Sequence, residues 1–411
     1  MSQILFSNCS LLVPGDAELH PGHHVLIEGE RIREVSPRPI TAPHATVFDL
    51  GGKTLMPGLI DCHVHVVAIM LDLSANVALP NAAVAYQAIP ILRSMLARGF
   101  TSVRDAGGAD YSLAQAVERG WIEGPRIFPS GKALSQTGGH GDTRRRSDEM
   151  DPCPCAGRIG LLSRVEDGID GVRRAVREEL QKGATQIKIM ASGGVASPTD
   201  RIDSTQYALD EIAAIVAEAA AQNTYVMAHA YTSRAIRRAV ECGVRSIEHG
   251  NLIDQETAAA MGRSGAYAVP TLITYDMLAE HGERLGLPAA SVAKIEEVRE
   301  AGLRSLEIFK RAGVKMGYGS DLLGELHRYQ SAEFALRARV LPAHEVIVSA
   351  TTTAAEILRM DGRLGVIAPE ATADVLVIDG DPLRDLSLLG GQGEHLDAVM
   401  KAGAFAKNRL T

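Results

Sequence analysis

No run of 18 consecutive apolar residues occurs in this 411-residue chain, which argues against a membrane-spanning helix. The first residues, MSQILFSN, lack the basic start and long apolar stretch of an export signal, so the expected location is the cytoplasm, with no membrane partner. Cysteine is sparse: Cys9, Cys62, Cys153, Cys155 and Cys242 are too few and too scattered for a disulfide scaffold. The pair Cys153 and Cys155 has no second pair with which to complete a tetrahedral metal site, although a metal or redox role stays open. Basic clustering is also missing apart from Arg144, Arg145 and Arg146, and the net charge of −8 argues against nucleic acid as a partner. That triplet lies in a Gly- and Asp-rich loop and reads either as a solvated face or as a carboxylate-binding group. Internal repeats and low-complexity linkers are absent as well.

What the chain has is the composition of a large enzyme, 46% hydrophobic and 22% charged. Residues 1–56 read as short strands and turns, QILFSNCSLLV, HHVLIEGERIREVS and ATVFDLGGKTLM, with no helical period. From residue 57 to about 360 strands alternate with amphipathic stretches such as VEDGIDGVRRAVREELQKG and DEIAAIVAEAAAQN. Strands are expected near 59–66, 102–107, 126–131, 187–193, 225–230, 246–250, 266–272 and 314–321, which predicts an α/β fold with a (β/α)8 barrel. Residues 361–411 return to strand and turn, so both chain ends are expected to build one small β-sandwich beside the barrel. The connection 130–164 is long, Gly-rich and aperiodic, a pattern that points to part of a substrate pocket.

Chemistry-bearing residues recur at the strand ends. His63 and His65 lie two apart in PGLIDCHVHV, so alternation directs both imidazoles to one face. Chance alone supplies about 0.4 such pairs in a chain with this many histidines, so the pair is weak by itself. Lys188 in QIKIMASGG, His229 in YVMAHAYT, His249 in SIEHGN and Asp321 in VKMGYGSD each follow a short apolar run and precede small or turn residues. Barrels build their active sites at the carboxyl ends of their strands, and six polar groups in that register imply a two-metal hydrolase.

Those motifs, together with GRLGVIAPEATADVLVIDGDP near the carboxyl end, resemble the amidohydrolase superfamily over essentially the whole chain. Lys188 and the segment SQTGGHGD, Ser135 to Asp142, look like its imidazolonepropionase-related dipeptidases and carboxypeptidases, a group that includes enzymes cleaving the amide of ochratoxin A. The resemblance implies one metal on His63, His65 and Asp321 and a second on His229 and His249, with Lys188 bridging both as an N6-carboxylysine. Zinc suits such ligands, and cobalt or manganese would fit them too. It also implies Asp321 as the group that passes a proton to the leaving amine. His140 in TGGHG is the candidate donor to the substrate carbonyl, flanked by glycines that allow close approach, and a loop histidine without a role is its alternative. Tyr231, two residues beyond His229, is either a donor to a substrate carboxylate or a packing residue. The expected substrate is a dipeptide or N-acyl amino acid with a free carboxyl terminus, and homo-oligomers are expected by resemblance. A hydantoinase-like cyclic-amide hydrolase, a one-metal deaminase or imidazolonepropionase-like enzyme, and a non-catalytic barrel are the rival readings.

Overall fold

The computed structural model describes residues 2–144, 158–195, 197, 200–287 and 289–410. Five strands open the chain: β1 (Gln3–Leu11), β2 (His20–Glu28), β3 (Arg31–Ser36), β4 (Thr46–Asp49) and β5 (Thr54–Pro57). Nine short ones follow: β6 (Leu59–Val64), β7 (Phe100–Asp105), β8 (Arg126–Phe128), β9 (Ala133–Ser135), β10 (Ser163–Val165), β11 (Ile187–Met190), β12 (Val226–Thr232), β13 (Ser246–Leu252) and β14 (Tyr267–Val269). The last three are β15 (Val375–Ile378), β16 (Leu396–Lys401) and β17 (Ala404–Asn408).

The two chain ends share one eight-stranded sheet in the order β17-β16-β15-β5-β1-β2-β3, with β4 on β1. Strands β5 and β15 join them, antiparallel with Val375 opposite Pro57 and Ile378 opposite Thr54. One face of this sheet buries Phe6, Val25, Ile32, Leu55, Val375, Val377 and Met400 as a core of its own. The outer strands alternate and have one face to hide, whereas β5 and β15 are buried on both, with Met56, Leu376 and Ile378 packing into a second core.

The middle of the chain is parallel, in two sheets of order β6-β7-β8 and β10-β9-β11-β12-β13-β14. Its strands are buried on both faces: Ile187, Ile189, Val226, Ala228, Ala230 and Ile247 form the apolar outer face, which amphipathic helices cover, while Lys188, His229 and Glu248 lie on the other. One such helix is Gly168–Gln181, which buries Val172, Ala175 and Val176.

Two expected strands take a different form. The stretch 126–131 splits after Phe128 at Pro129 and Gly131, so that β8 pairs with β7 while β9 pairs with β11 and β10. Proline lacks the amide a ladder needs, and Gly131 adopts φ +66°, so the chain turns there instead of running on. The aperiodic connection 130–164 thus holds two short strands, β9 and the start of β10. The stretch 314–321 forms only one bridge, Met316 to Ala268. Its other backbone bonds go both ways: Gly317 N donates to Ala268 O on one side, while Cys62 N donates to Tyr318 O and Asp321 N to His63 O, both at 2.8 Å, on the other. Glycine is required for that approach, since a Cβ on Gly319 would sit 2.6 Å from Val269 Cγ1 and 3.0 Å from His63 Cβ. No helix among the described residues is long and apolar enough to cross a membrane.

Candidate active site

Strands β6, β11, β12 and β13, His65 just after β6 and the segment after Gly319 carry the expected set, and the fold brings it together. His63 Nε2 and His65 Nε2 lie 3.4 and 3.2 Å from Asp321 Oδ1, and His249 Nδ1 lies 3.9 Å from Asp321 Oδ2. Ligand atoms of His63, His249 and Asp321 all fall within 4.8 Å of one another. His229 joins through ring contact with His249, centroids 4.6 Å apart. His140 stacks on the other face of that group, 4.4 Å from His229.

A layer of groups behind these side chains sets their orientation. His65 Nδ1 lies 2.9 Å from Gly107 O, and His229 Nε2 lies 3.2 Å from Gly193 O. Carbonyls only accept, so each ring places a proton there and leaves its other nitrogen as a lone pair. His63 Nδ1 meets Glu248 Oε2 at 2.8 Å, and Arg104 Nη2 holds Glu248 at 2.9 and 3.0 Å. All three are buried. Burial opposes ionisation of Glu248, but the Arg104 guanidinium and the His63 bond outweigh it and hold the carboxyl at about 2. Asp61, also buried, accepts from His63 N, Ser320 N, Ser320 Oγ and Gln330 Nε2, which fastens the Asp321 segment to β6. Burial resists the charge on Asp321 too, yet the surrounding histidines keep its carboxyl well below the usual range.

Backbone strain marks the same two positions. His249 and Asp321 adopt φ +72° and +52°, a left-handed conformation that is uncommon for non-glycine residues. At His249 this turns the side chain toward the site even though the preceding Glu248 also points inward, which plain alternation would forbid.

Lys188 is 1% exposed. A barrel lysine paired with a carboxylate is the ordinary arrangement, but among the described residues none lies within ion-pair distance of it. Burial pushes its ammonium down to about 8, against the pull of Glu248 and Asp321. His63, His65, His249 and the Asp321 carboxylate, with His229 and the buried Lys188 beside them, form a donor set of the kind that holds divalent cations.

His140 is placed by residues the sequence reading missed. Its Nδ1 lies 3.5 Å from Asp200 Oδ2, an ion-pair rather than a hydrogen-bond separation. Asp200 is anchored by Gln206 Nε2 and Gly194 N. The glycine that matters for the ring is Gly194 on this other loop, where a Cβ would lie 2.1 Å from His140 Cε1. Tyr231 stands beside His229 and His249, centroids 4.8 and 5.3 Å away, with its hydroxyl 2.9 Å from that of Tyr275. Arg144 turns back on Asp142, Nε to Oδ1 at 2.8 Å. Arg145, Arg146, Cys153 and Cys155 lie outside the described residues. Exposure of the cluster is highest at Asp321, 21%, and His140, 13%, which makes that side its mouth.

Histidines, a lysine and an aspartate delivered by parallel strand ends to one buried cluster define a hydrolytic enzyme. The chain belongs to the amidohydrolase family, whose pattern matches residues 54–405. It is similar to the ochratoxinase of Aspergillus niger, at 32% identity over 97% of this chain and 85% of that one. A prolidase crystallised with N-methylphosphonate-L-proline superposes with a TM-score of 0.97 at 58% identity, covering 99% of this chain and 100% of the other. A Xaa-Pro dipeptidase with methionine bound in its active site superposes with a TM-score of 0.88 at 29% identity over 98% and 99% of the two chains.

Proposed function

We propose that this amidohydrolase is a binuclear metal-dependent peptidase that cleaves the amide of dipeptides or N-acyl amino acids bearing a free carboxylate, ochratoxin-type amides included. One observation carries the two-metal reading: Lys188 is buried near His65 and His229 with no carboxylate within ion-pair distance among the described residues. A neutral amine captures carbon dioxide and becomes an anionic two-oxygen ligand, which a one-metal site does not need. His63, His65 and Asp321 would hold one cation and His229 and His249 the other, with carboxylated Lys188 shared. Bound divalent ions lower the pKa of water from 15.7 toward about 7 and polarise a carbonyl. We also read the two parallel sheets and the 314–321 segment as one (β/α)8 barrel at 57–360, with a sandwich from 1–56 and 361–411, a reading supported by the hydrogen bonds Tyr318 and Asp321 share with β6.

The chain's own residues divide the remaining work. Asp321, at the mouth of the cluster, would accept a proton from the attacking water and deliver it to the departing nitrogen. His140 would donate to the carbonyl oxygen as charge develops there, and Tyr231 would bind the carboxylate one residue away. The prolidase and the Xaa-Pro dipeptidase among its relatives support a free carboxyl terminus.

Hydrolysis of a dipeptide and N-acyl amino acid panel with zinc supplied tests this reading directly. Amidating the substrate carboxylate is expected to lower kcat/KM by roughly 10- to 100-fold, since unpaired buried donors cost about 1–3 kcal/mol. Tyr231→Phe should shrink the gap between free and amidated substrates. Equal rates on both, or turnover of cyclic amides alone, would move the enzyme to the hydantoinase-like reading.

Glu248→Gln keeps the shape behind His63 and removes the charge. Divalent-metal affinity, read by chelator competition, is expected to fall by about 10- to 100-fold. Unchanged affinity in the folded variant would show that His63 does not depend on this carboxylate.

A further inference from the structure

A buried arginine outside the cluster sets the direction of one of its supports. Arg98, at the carboxyl end of the helix Asn81–Ala97, is 1% exposed and meets no carboxylate within ion-pair distance among the described residues. Its Nε and Nη2 lie instead 3.2 and 3.0 Å from Gln330 Oε1, and its Nη1 lies 2.9 Å from Gln392 Oε1. Gln392 comes from the chain end that forms the outer sheet, just before β16, and its Nε2 donates to Arg328 O at 2.7 Å. Arg98 is therefore held from two sides. Beyond it, Gln330 Nε2 donates to Asp61 Oδ2 at 2.9 Å. Asp61 Oδ2 also accepts from Ser320 Oγ at 2.6 Å, while its Oδ1 accepts from His63 N and Ser320 N at 3.0 and 3.2 Å.

A guanidinium donates and never accepts, so Gln330 must turn its amide oxygen toward Arg98. Its nitrogen is then left for Asp61. Without Arg98 the amide could flip and set its carbonyl against the Asp61 carboxyl, where two acceptors face each other and a bond is lost. The backbone of Gln330 is fixed separately, because its carbonyl accepts from Tyr318 Oη at 2.6 Å. What Arg98 controls is thus the orientation of one side-chain amide. That amide bears on Asp61, which ties the backbone of His63 to that of Ser320, the residue before Asp321. His63 Nε2 and Asp321 Oδ1 stand 3.4 Å apart across this tie.

We propose that Arg98 and Gln330 are positioning residues: Arg98 locks the Gln330 amide in one orientation, and the amide steadies Asp61 so that His63 and Asp321 keep the mutual placement needed to share a cation. The inference rests on the reading of His63 and Asp321 as ligands of one metal and extends it to two residues that touch neither metal nor substrate.

Chelator competition for zinc, with steady-state kinetics on a dipeptide beside it, tests the bridge. Gln330→Met is expected to weaken zinc binding about tenfold and to lower kcat by a similar factor while KM stays nearly constant. Arg98→Met should weaken zinc binding about three- to tenfold. Arg98→Lys still offers Gln330 a donor that cannot accept, and should stay within about twofold of the unmodified affinity. Because the two residues act in series, the double methionine variant should lose no more than Gln330→Met alone. Full zinc affinity in Gln330→Met, additive losses in the double variant, or equal affinity in Arg98→Lys and Arg98→Met overturns the proposal. If the methionine variants fold poorly, Gln330→Glu decides the matter, since it keeps the shape and the bond to Arg98 but turns an oxygen toward Asp61. It should bind zinc at least about tenfold more weakly, and unchanged affinity in that variant overturns the bridge. An unmodified enzyme that binds no zinc refutes the metal reading itself, a failure separate from that of the bridge.

Discussion

Replacing Lys188 with alanine is expected to strip the enzyme of bound metal and to lower turnover on a dipeptide by about 10³-fold or more, beyond the loss seen when one stabilising donor is removed. Lys188 has its charged form disfavoured by burial, and it meets no carboxylate within ion-pair distance among the described residues. An ammonium held only for structure would have gained such a partner, because an unpaired buried charge is costly. As a carbamate, the same side chain is an anion that two cations stabilise. Elemental analysis should therefore find about two metals per unmodified chain and far fewer in the variant, and a short carboxylic acid filling the vacated space should restore part of both properties. Two metals and full turnover in Lys188→Ala would remove the bridge from the mechanism, and one metal in the unmodified enzyme would favour the one-metal rival.

The second large effect is expected at Asp321. Asparagine is close in shape and tolerates the left-handed backbone that Asp321 adopts at φ +52°. Asp321→Asn should thus fold normally while losing the negative charge and the capacity to carry a proton. Turnover should fall by at least about 10²-fold, the effect typical of losing a general acid or base. The decline should appear in kcat more than in KM, since proton delivery to the leaving nitrogen is made in the transition state. Near-normal kcat would leave Asp321 as a positional group only.

All six residues proposed to hold metal could be read from the sequence because the signal is local: an apolar run, a polar residue at its end, and small residues after it. Parallel strands convert that one-dimensional pattern into a common direction for Lys188, His229 and His249, and the backbone bond of Asp321 to His63 brings the last residue to His63 and His65. The layer behind them was not read, for identifiable reasons. Asp61 stands two before His63, so the alternation that paired the histidines already placed it on their face, but a carboxylate in an apolar run has many uses. Glu248 was hidden by the same rule, since a neighbour of His249 belongs on the opposite face unless the backbone turns left-handed between them, as it does. Asp200 reaches His140 across 60 residues of chain, and only the folded structure brings them together. The third and eighth strands departed from expectation because Pro129 breaks one ladder, while the other keeps scattered backbone bonds to Ala268, Cys62 and His63 and has Ser320 held by the Asp61 side chain.

The seam between β5 and β15 has a consequence during synthesis. Strand β5 leads directly into β6 and its two histidines, yet one of its partners, β15, lies about 320 residues later in the chain. At roughly 5–20 residues per second a ribosome needs on the order of 15 to 65 s to bridge that interval. Throughout it, the apolar edge of β5 is an open template for any passing strand. The nascent protein therefore depends on β15 to close the edge that β5 leaves open, and chains cut short before Val375 should be prone to aggregate through their amino-terminal strands.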